Sequence, residues 1–369
     1  MSFRILQIGD SHFGNRRLDE CVRNFDFIIE YATKEKPHLI FHTGDLFDRN
    51  TSINSPEYFA AINGMQALAK IAPVYIIRGN HDPDGALDIF KKFDRFNVYD
   101  EITEIKISTL PLMDVLFVPY INPLKLGSGL TYDEVHINTT DSLRRIINKF
   151  VAKSGDFKVV VAHLSIRDAV LANSEKIMSD ELILDIKDLT LPKIKMVMLG
   201  HIHNNNQPLL EKYPIRYNGA HYRYDFGEKG QPGFVMWEVG SDKAVPTTIY
   251  TPVKEMREIE IDEVAVRKFI KTKKLDFDLE DNADIKLVFN IPEGISTMLD
   301  LSALLKTCPG SSTLKVVKRI KPQIVVRSQD ISKFKTEEDR FAEWGRLNNV
   351  IMTDSIKKII NEITVEAHE

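Results

Sequence analysis

Short apolar runs recur along the first two hundred residues, and each ends in a polar turn. Phe3-Arg4-Ile5-Leu6-Gln7-Ile8 leads to Asp10 and His12, and Leu39-Ile40-Phe41 leads to Thr43-Gly44-Asp45-Leu46-Phe47-Asp48. Val74-Tyr75-Ile76-Ile77 precedes Asn80 and His81, and Val159-Val160-Val161-Ala162 precedes His163. Met196-Val197-Met198-Leu199-Gly200 precedes His201 and His203. Runs rich in β-branched residues and bounded by turn formers predict buried strands. Between the first two, Leu18, Cys21, Val22, Phe25, Ile28, Ile29 and Ala32 fall at helical spacing, and Pro37 ends that helix. A second helix is expected from about Pro56 to Lys70. The βαβαβ order implies parallel strands covered by helices.

Further along, the pattern shortens. From about 101 to 120 it reads as short strands punctuated by Pro111, Pro119 and Pro123, with Val115-Leu116-Phe117-Val118 the clearest. A helix over about 141–153 leads to the His163 strand, and 164–190 reads as helix and loop above the strand ends. Strands around Ile215-Arg216-Tyr217, Gly233–Trp237 and Thr247–Tyr250 look like the closing side of a two-layer β-sandwich that ends near Thr251-Pro252.

A smaller α+β unit follows over 253–328. It reads as strand Arg257–Ile261, helix about 263–273, strand Ile285–Asn290, helix about 298–306 and strand Leu314–Arg319, with 273–284 a charged connection. Residues 329–369 read as a helical pair. Thr336 caps the first helix, with Glu337, Glu338 and Asp339 in its acidic first turn. Phe341, Trp344, Leu347 and Val350 or Ile351 share one face of it. Thr353-Asp354-Ser355 starts the second, which carries Ile356, Ile359, Ile360 and Ile363. The expected layout is therefore 1–252, 253–328 and 329–369, with no internal repeat.

Composition narrows the class. A chain of 369 residues that is 43% hydrophobic and 28% charged has the make-up of an ordinary globular protein. No apolar run approaches the roughly 20 residues that span a bilayer, so no membrane partner is expected. The N-terminus enters a strand at once, which argues against a signal peptide. Cys21 and Cys308 give no disulfide framework and fit a reducing compartment, so the expected location is cytoplasmic. The net charge of -4 says nothing in favour of nucleic acid. Two local basic clusters exist: Lys268, Lys271, Lys273 and Lys274, then Lys315, Lys318, Arg319 and Lys321. Each is either solvated surface or a DNA contact.

The chemistry sits at the strand ends. Asp-x-His offers two ligands on one tight turn, and Asp45 can give one carboxylate oxygen to each of two metals. Asn80 adds a neutral oxygen, and His163, His201 and His203 add imidazoles. This mixed oxygen and nitrogen set suits manganese, iron or zinc better than calcium. Two ions about 4 Å apart would polarise a phosphodiester and supply a hydroxide for in-line attack. His81, beside ligand Asn80, points toward substrate, to stabilise developing charge or protonate the leaving oxygen. Asp82 either orients His81 or caps the turn with Pro83, and Asp48 either lines the site or ends its turn. Five of the ten histidines sit in these motifs, so a chance gathering of structural histidines is a poor account.

The ordered motifs Asp-x-His, Gly-Asp-x-x-Asp, Gly-Asn-His-Asp, His and Gly-His-x-His resemble those of calcineurin-like metallophosphoesterases. The resemblance implies a four-layer α/β metallophosphoesterase β-sandwich flanked by helices. It also implies that Asp10, His12, Asp45 and His203 hold one ion, and that Asp45, Asn80, His163 and His201 hold the other. His81 would be the catalytic histidine. Finer details resemble the nuclease subunit of double-strand-break repair complexes of the bacterial SbcD type and its archaeal, eukaryotic and phage relatives. They are Gly44–Arg49 with Ser55-Pro56, and Ile215–Ala220 with Phe226-Gly227-Glu228-Lys229 and Gly233-Phe234. That implies a Mn2+-dependent exonuclease or endonuclease, with Mg2+, Fe or Zn as other candidate ions, acting on double- and single-stranded DNA in a bacterial or phage-infected cell. It further implies a DNA-capping domain at 253–328, an SbcC-like coiled-coil ATPase bound by the C-terminal helices, and a homodimer formed through the helices after Asp45 and Asp82. Asp48 stands where archaeal enzymes carry a histidine and SbcD-like members commonly carry Asp, which leaves the balance of cutting modes open. Ala220-His221-Tyr222 stands where relatives often have Ser-Pro, so that loop's contacts do not carry over.

Two alternatives remain at this stage. A phosphoprotein phosphatase or small-molecule phosphodiesterase would keep the chemistry; phosphoprotein phosphatases usually read Gly-Asn-His-Glu and Gly-Asp-x-x-Asp-Arg-Gly, where this chain has Asp82 and Asn50. A metal-free binding scaffold would have shed ligands, and none is missing.

Overall fold

A computed structural model describes residues 3–49, 51–109, 111–123, 131–171, 182–228, 230–273, 283–296, 298–299, 302, 313–321, 333–334, 336–351, 353–356 and 358. The first strands are β1 (Phe3–Ile8), β2 (Leu39–His42), β3 (Val74–Ile77), β4 (Phe96–Tyr99), β5 (Thr103–Ile107), β6 (Met113–Val118) and β7 (Lys158–His163). A two-residue pair, β8 (Ser165–Ile166) and β9 (Ile183–Leu184), is followed by β10 (Ile194–Gly200), β11 (Ile215–Tyr217), β12 (Gly233–Val239) and β13 (Ala244–Tyr250). The last three are β14 (Glu255–Ile261), β15 (Ala283–Pro292) and β16 (Thr313–Lys321). The chain divides into two compact units, Met1–Arg257 with Asn282–Asp284, and Glu258–Asp281 with Ile285–Glu369.

The first unit has four layers. One sheet runs β13-β12-β1-β2-β3-β4 and the other β11-β10-β7-β6-β5. In the strands Ile5, Phe41, Val115, Phe117, Val161 and Met198 face the space between the sheets, where Trp237 is fully buried. The alternate residues face outward under helices, since side chains of a strand project to opposite faces. Leu6, Ile40 and Ile76 pack against Phe25 and Ile28 of α1 (Leu18–Glu35) and Met65 and Leu68 of α2 (Pro56–Ile71). Leu116, Val160 and Val197 pack against Leu143, Ile147 and Phe150 of α3 (Tyr132–Ala152). Being covered on both sides explains why these strands read as continuous apolar runs. Gln7 is the polar exception, and it is satisfied: it accepts from Trp237 Nε1 at 2.8 Å and donates to the Arg216 carbonyl at 3.0 Å.

Three expectations are corrected. The helix expected at about 141–153 begins nine residues earlier, at Tyr132. Thr131 and Glu134 form a reciprocal capping box there, and Val135 is buried in the first turn. The closing strands do not sit together: β11 extends one sheet in parallel beside β10, whereas β12 lies antiparallel to β1 in the other. Within 164–190 there is a short parallel strand pair and a single helical turn at Ile186–Leu189. That pair lets Ser165 and Ile166 join Ile183 and Leu184 in a ladder.

In the second unit β14-β15-β16 form one sheet. A helix over Glu263–Thr272 is capped by the Asp262 side chain and buries Val266 and Phe269. Arg319 of the second basic cluster is paired with Glu258 and Glu260. The helix Glu337–Leu347 carries Thr336 as its cap, and Phe341, Trp344 and Leu347 are exposed. The helix expected at 298–306 falls mostly outside the described residues, as do Lys229, Lys274, Cys308, Ile359, Ile360 and Ile363. Among the described residues, no helix is long and apolar enough to cross a membrane.

Candidate active site

β1, β2 and β3 run parallel in one sheet, and β7 and β10 run parallel in the other. Their C-terminal ends therefore open onto one edge, the usual location of ligand sites in open α/β sheets. The backbone there is bent out of the ordinary regions. Asp10, His12, Asp45 and His201 all have positive φ, at 48°, 42°, 53° and 92°. Left-handed conformations cost energy for side-chain-bearing residues and gather at functional sites. Tight approach of the turns demands glycine: a Cβ on Gly44, itself at φ +100°, would lie 2.5 Å from His163 Nδ1 and 2.9 Å from Gly79 Cα.

The structure brings the seven predicted ligands and His81 around this edge. Asp10, His12 and His203 form one group, and Asp45, His163 and His201 another; within each, one ligand atom per residue lies within 4.8 Å of the others. His12, Asp45 and His81 form a third between them. Asn80 Oδ1 lies 2.8 Å from His163 Nε2 and 3.0 Å from His201 Nδ1. Asp45 Oδ2 stands 3.7 Å from His12 Nε2 and 3.4 Å from His163 Nε2, central to both groups.

These side chains fit a pair of divalent cations. His12 and His203 turn their Nε2 atoms on one another at 2.9 Å, an arrangement that two neutral imidazoles hold only by sharing a proton or a cation. Electrostatics point the same way. Burial pulls His163 and His203 down, but the Asp45 carboxylate beside the first and Glu228 beside the second prevail and hold each up to about 9. Burial pushes Asp45 up, yet His163, His12 and His81 hold it well below the usual carboxylate range. The cluster thus gathers positive charge around buried carboxylates, the demand a bound cation meets. By contrast His42 and His221 are buried histidines that burial drives down to about 3, and His42 contacts Ser11 Oγ at 3.0 Å. They are core residues.

His81 sits at the open side, 28% exposed, with its ring edge-on to His12 at 4.6 Å. Its neighbour is Asp48, with Nδ1 to Oδ1 at 3.5 Å. Asp82, expected either to orient His81 or to cap its turn, does not face His81. Its carboxylate is buried and accepts the backbone N–H groups of Asp45 and Phe47 at 2.9 Å and of Gly79 at 2.8 Å. A short acidic side chain next to a turn finds unpaired amides closer than a neighbouring ring, so Asp82 fastens the Asp45 turn to the Asn80 turn.

Sequence reasoning missed four supporting residues. Glu228 Oε1 meets His203 Nδ1 at 2.6 Å. Asn218 donates to Asp10 Oδ2 at 3.0 Å. The Thr43 carbonyl receives His163 Nδ1 at 2.7 Å. Tyr224 donates its hydroxyl to Asp48 Oδ2 at 2.8 Å. Glu228 and Asn218 stood in the motifs that carried the resemblance, but no local spacing assigns them partners.

The model of the family described as "Calcineurin-like phosphoesterase" matches residues 3–205, more than half the chain and every candidate ligand. This chain belongs to that family. Among curated relatives, DNA double-strand break repair protein Mre11 of Aeropyrum pernix is 23% identical over 286 residues, 70% of this chain and 63% of the relative. Mre11 of Sulfurisphaera tokodaii is 31% identical over 144 residues, 36% of this chain and 33% of that one. The phosphoesterase thus spans less than two thirds of the length of these relatives. Protein 078R of Invertebrate iridescent virus 3, provisionally described as a phosphoesterase, is 23% identical over 356 residues, 88% of this chain and 87% of the viral protein. Among solved structures, a dimetal phosphatase from Danio rerio aligns at a TM-score of 0.43 and 10% identity, over 68% of this chain and 98% of its own.

Proposed function

We propose that this phosphoesterase is a metal-dependent DNA nuclease, acting at DNA ends as the nuclease subunit of an SbcCD-like repair and recombination complex. The observation that carries the chemistry is the meeting of two ligand groups on Asp45, with His81 on the open side. The choice of DNA rests on the relatives named as double-strand break repair proteins.

Asp10, His12, Asp45 and His203 would hold one divalent ion and Asp45, Asn80, His163 and His201 the other, with Mn2+ the first candidate. A bound pair of such ions supplies charge that polarises a phosphodiester and lowers the pKa of the attacking water. The protein's own groups do the rest. Asp82 holds the Asp45 and Asn80 turns in register through three amide hydrogen bonds. Burial, against the pull of Asp45 and Asp48, keeps His81 below its ordinary pKa. It would act in its imidazolium form, giving the Nε2 proton to the leaving oxygen and recovering it from water. Asp48 orients that ring.

Residues 253–328 serve as the DNA-capping domain in this reading. The exposed Lys268, Lys271 and Lys273 are the basic contacts in this reading. Residues 329–369 bind the ATPase, and exposed Phe341 and Trp344 supply the apolar face such a partner helix covers. Ile53 and Phe59, exposed after Asp45, mark the homodimer face.

The test is Mn2+-dependent degradation of end-labelled duplex DNA by the full chain, by His81→Ala and by a chain truncated after Gln329. Degradation lost in His81→Ala with DNA binding retained, together with truncation that removes only ATPase stimulation, is the expected result. Intact DNA, alone and with the ATPase, alongside hydrolysis of small phosphodiesters or phosphopeptides would instead establish a phosphodiesterase or phosphatase.

A further inference from the structure

The stretch from Tyr222 to Glu228 lies beyond the segment matched by the family model, yet it touches the site at three separate points. The Tyr222 hydroxyl donates to the carbonyl of His12 at 2.9 Å. Glu228 uses both carboxylate oxygens: Oε1 meets His203 Nδ1 at 2.6 Å, and Oε2 accepts the Tyr224 backbone N–H at 2.7 Å. Held by that bond, Tyr224 reaches across the site and donates its hydroxyl to Asp48 Oδ2 at 2.8 Å. The other Asp48 oxygen accepts the Arg49 N–H at 2.7 Å and faces His81 Nδ1.

We propose that Tyr224 is a positioning residue that acts through Asp48 on the substrate-side His81. The proposal rests on the reading that His81 assists phosphodiester hydrolysis. A carboxylate on a single rotatable stem can swing either oxygen toward either neighbour. Tyr224 removes that freedom by occupying Oδ2, which leaves Oδ1 for the imidazole. Crowding fixes the stem as well, since a Cβ on Gly14 would lie 2.9 Å from Asp48 Cβ. The phenol stays a donor throughout the working range, because burial and then the Asp48 carboxylate push it up to about 12. At 3.5 Å the Asp48 Oδ1–His81 Nδ1 contact is electrostatic and not a formed hydrogen bond. A carboxylate fixed there nevertheless favours the neutral tautomer and orientation that place Nδ1–H toward it and Nε2 toward the substrate. One loop therefore sets a predicted metal ligand, His203, and the acid–base group, His81, from the same carboxylate of Glu228.

Tyr224→Phe removes one oxygen and keeps the ring against His12, 5.7 Å away. Tyr224→Phe, Asp48→Asn and the double variant would be compared using bis(4-nitrophenyl) phosphate and Mn2+. Expected in Tyr224→Phe is a roughly tenfold fall in kcat with KM and the Mn2+ Kd from titration calorimetry unchanged within about twofold, the pattern of an interaction made in the transition state. In the Asp48→Asn background the same change should add nothing. Changes in KM or Mn2+ affinity instead of kcat, or effects that multiply in the double variant, would overturn the proposal. A second readout does not depend on turnover: the ring-nitrogen NMR signals of His81, assigned from His81→Ala in 15N-histidine-labelled protein. They should report an Nδ1–H tautomer in the parent and move toward a tautomeric mixture in Tyr224→Phe. Unmoved signals would overturn the proposal even in a protein that cleaves no diester. A protein that cleaves the small diester but spares DNA would refute the DNA reading alone.

Discussion

Glu228 and His203 are joined at 2.6 Å between Oε1 and Nδ1, across 25 residues of chain. The bond turns His203 so that its other nitrogen faces His12, and carboxylates behind metal-binding imidazoles orient them and raise their basicity. Glu228→Gln should weaken Mn2+ binding by about 10- to 100-fold. Titration calorimetry checks this; undiminished affinity would mean that the contact is only a loop fastening.

Asp82 predicts differently from a catalytic acid. Its carboxylate accepts three backbone N–H groups, and an amide there turns one acceptor into a donor facing donors. Asp82→Asn should cost about 1–3 kcal/mol of stability. The fall in melting temperature should accompany any loss of activity. A drop in kcat at unchanged melting temperature would restore Asp82 to the chemistry.

His163 and His203 should make the metal-free protein sensitive to alkali. Burial lowers both, but Asp45 and Glu228 respectively prevail, so each folded-state value, about 9, exceeds the ordinary 6.5. The stability conferred by their protonation is complete below about pH 6.5 and is lost as pH rises through about 9. With chelator present, the melting temperature should fall across that window. Apparent Mn2+ affinity should rise over the same window as the imidazoles lose their protons. Thermal melts with and without Mn2+ between these limits decide it, and a flat metal-free profile would refute the assignment.

Away from the site, Lys158 is buried at 1% exposure, its ammonium 2.7 Å from both Asp114 Oδ2 and the Ser154 carbonyl and 4.9 Å above the Phe150 ring. Lys158→Met strands the Asp114 carboxylate and should cost about 3–5 kcal/mol, with recovery when Asp114→Asn is added. Gly155, at φ +99° with Asp114 where a Cβ would stand, should tolerate no side chain. Denaturant melts check all three variants; a melt of Lys158→Met matching the parent would show that the pair contributes nothing.

The strand ends were legible because hydrophobic periodicity is a local property. A residue such as Val160 is apolar because both of its sheet faces are covered, and the run it belongs to delivers His163 to an edge whatever the rest of the chain does. The ordered spacing of Asp10, His12, Asp45, Asn80, His81, His163, His201 and His203 carried the family in the same way. The α3 start was less legible, since buried Val135 in its first turn is followed on the same face by the polar Thr139 before Leu143.

The sequence by itself determined the buried strands, the polar turns that end them and the kinds of donor atom those turns carry. Tertiary structure alone decided the pairings among those turns. Read along the chain, Asp82 either orients His81 or caps its turn, and Asp48 either lines the site or ends its turn. Only the fold hands Asp82 to three amides and Asp48 to His81 and Tyr224. Glu228 faces His203, and Asn218 faces Asp10 across 208 residues, for the same reason. Periodicity is written in neighbouring residues, whereas hydrogen-bond partners are chosen by which turns the packed sheets bring to one edge.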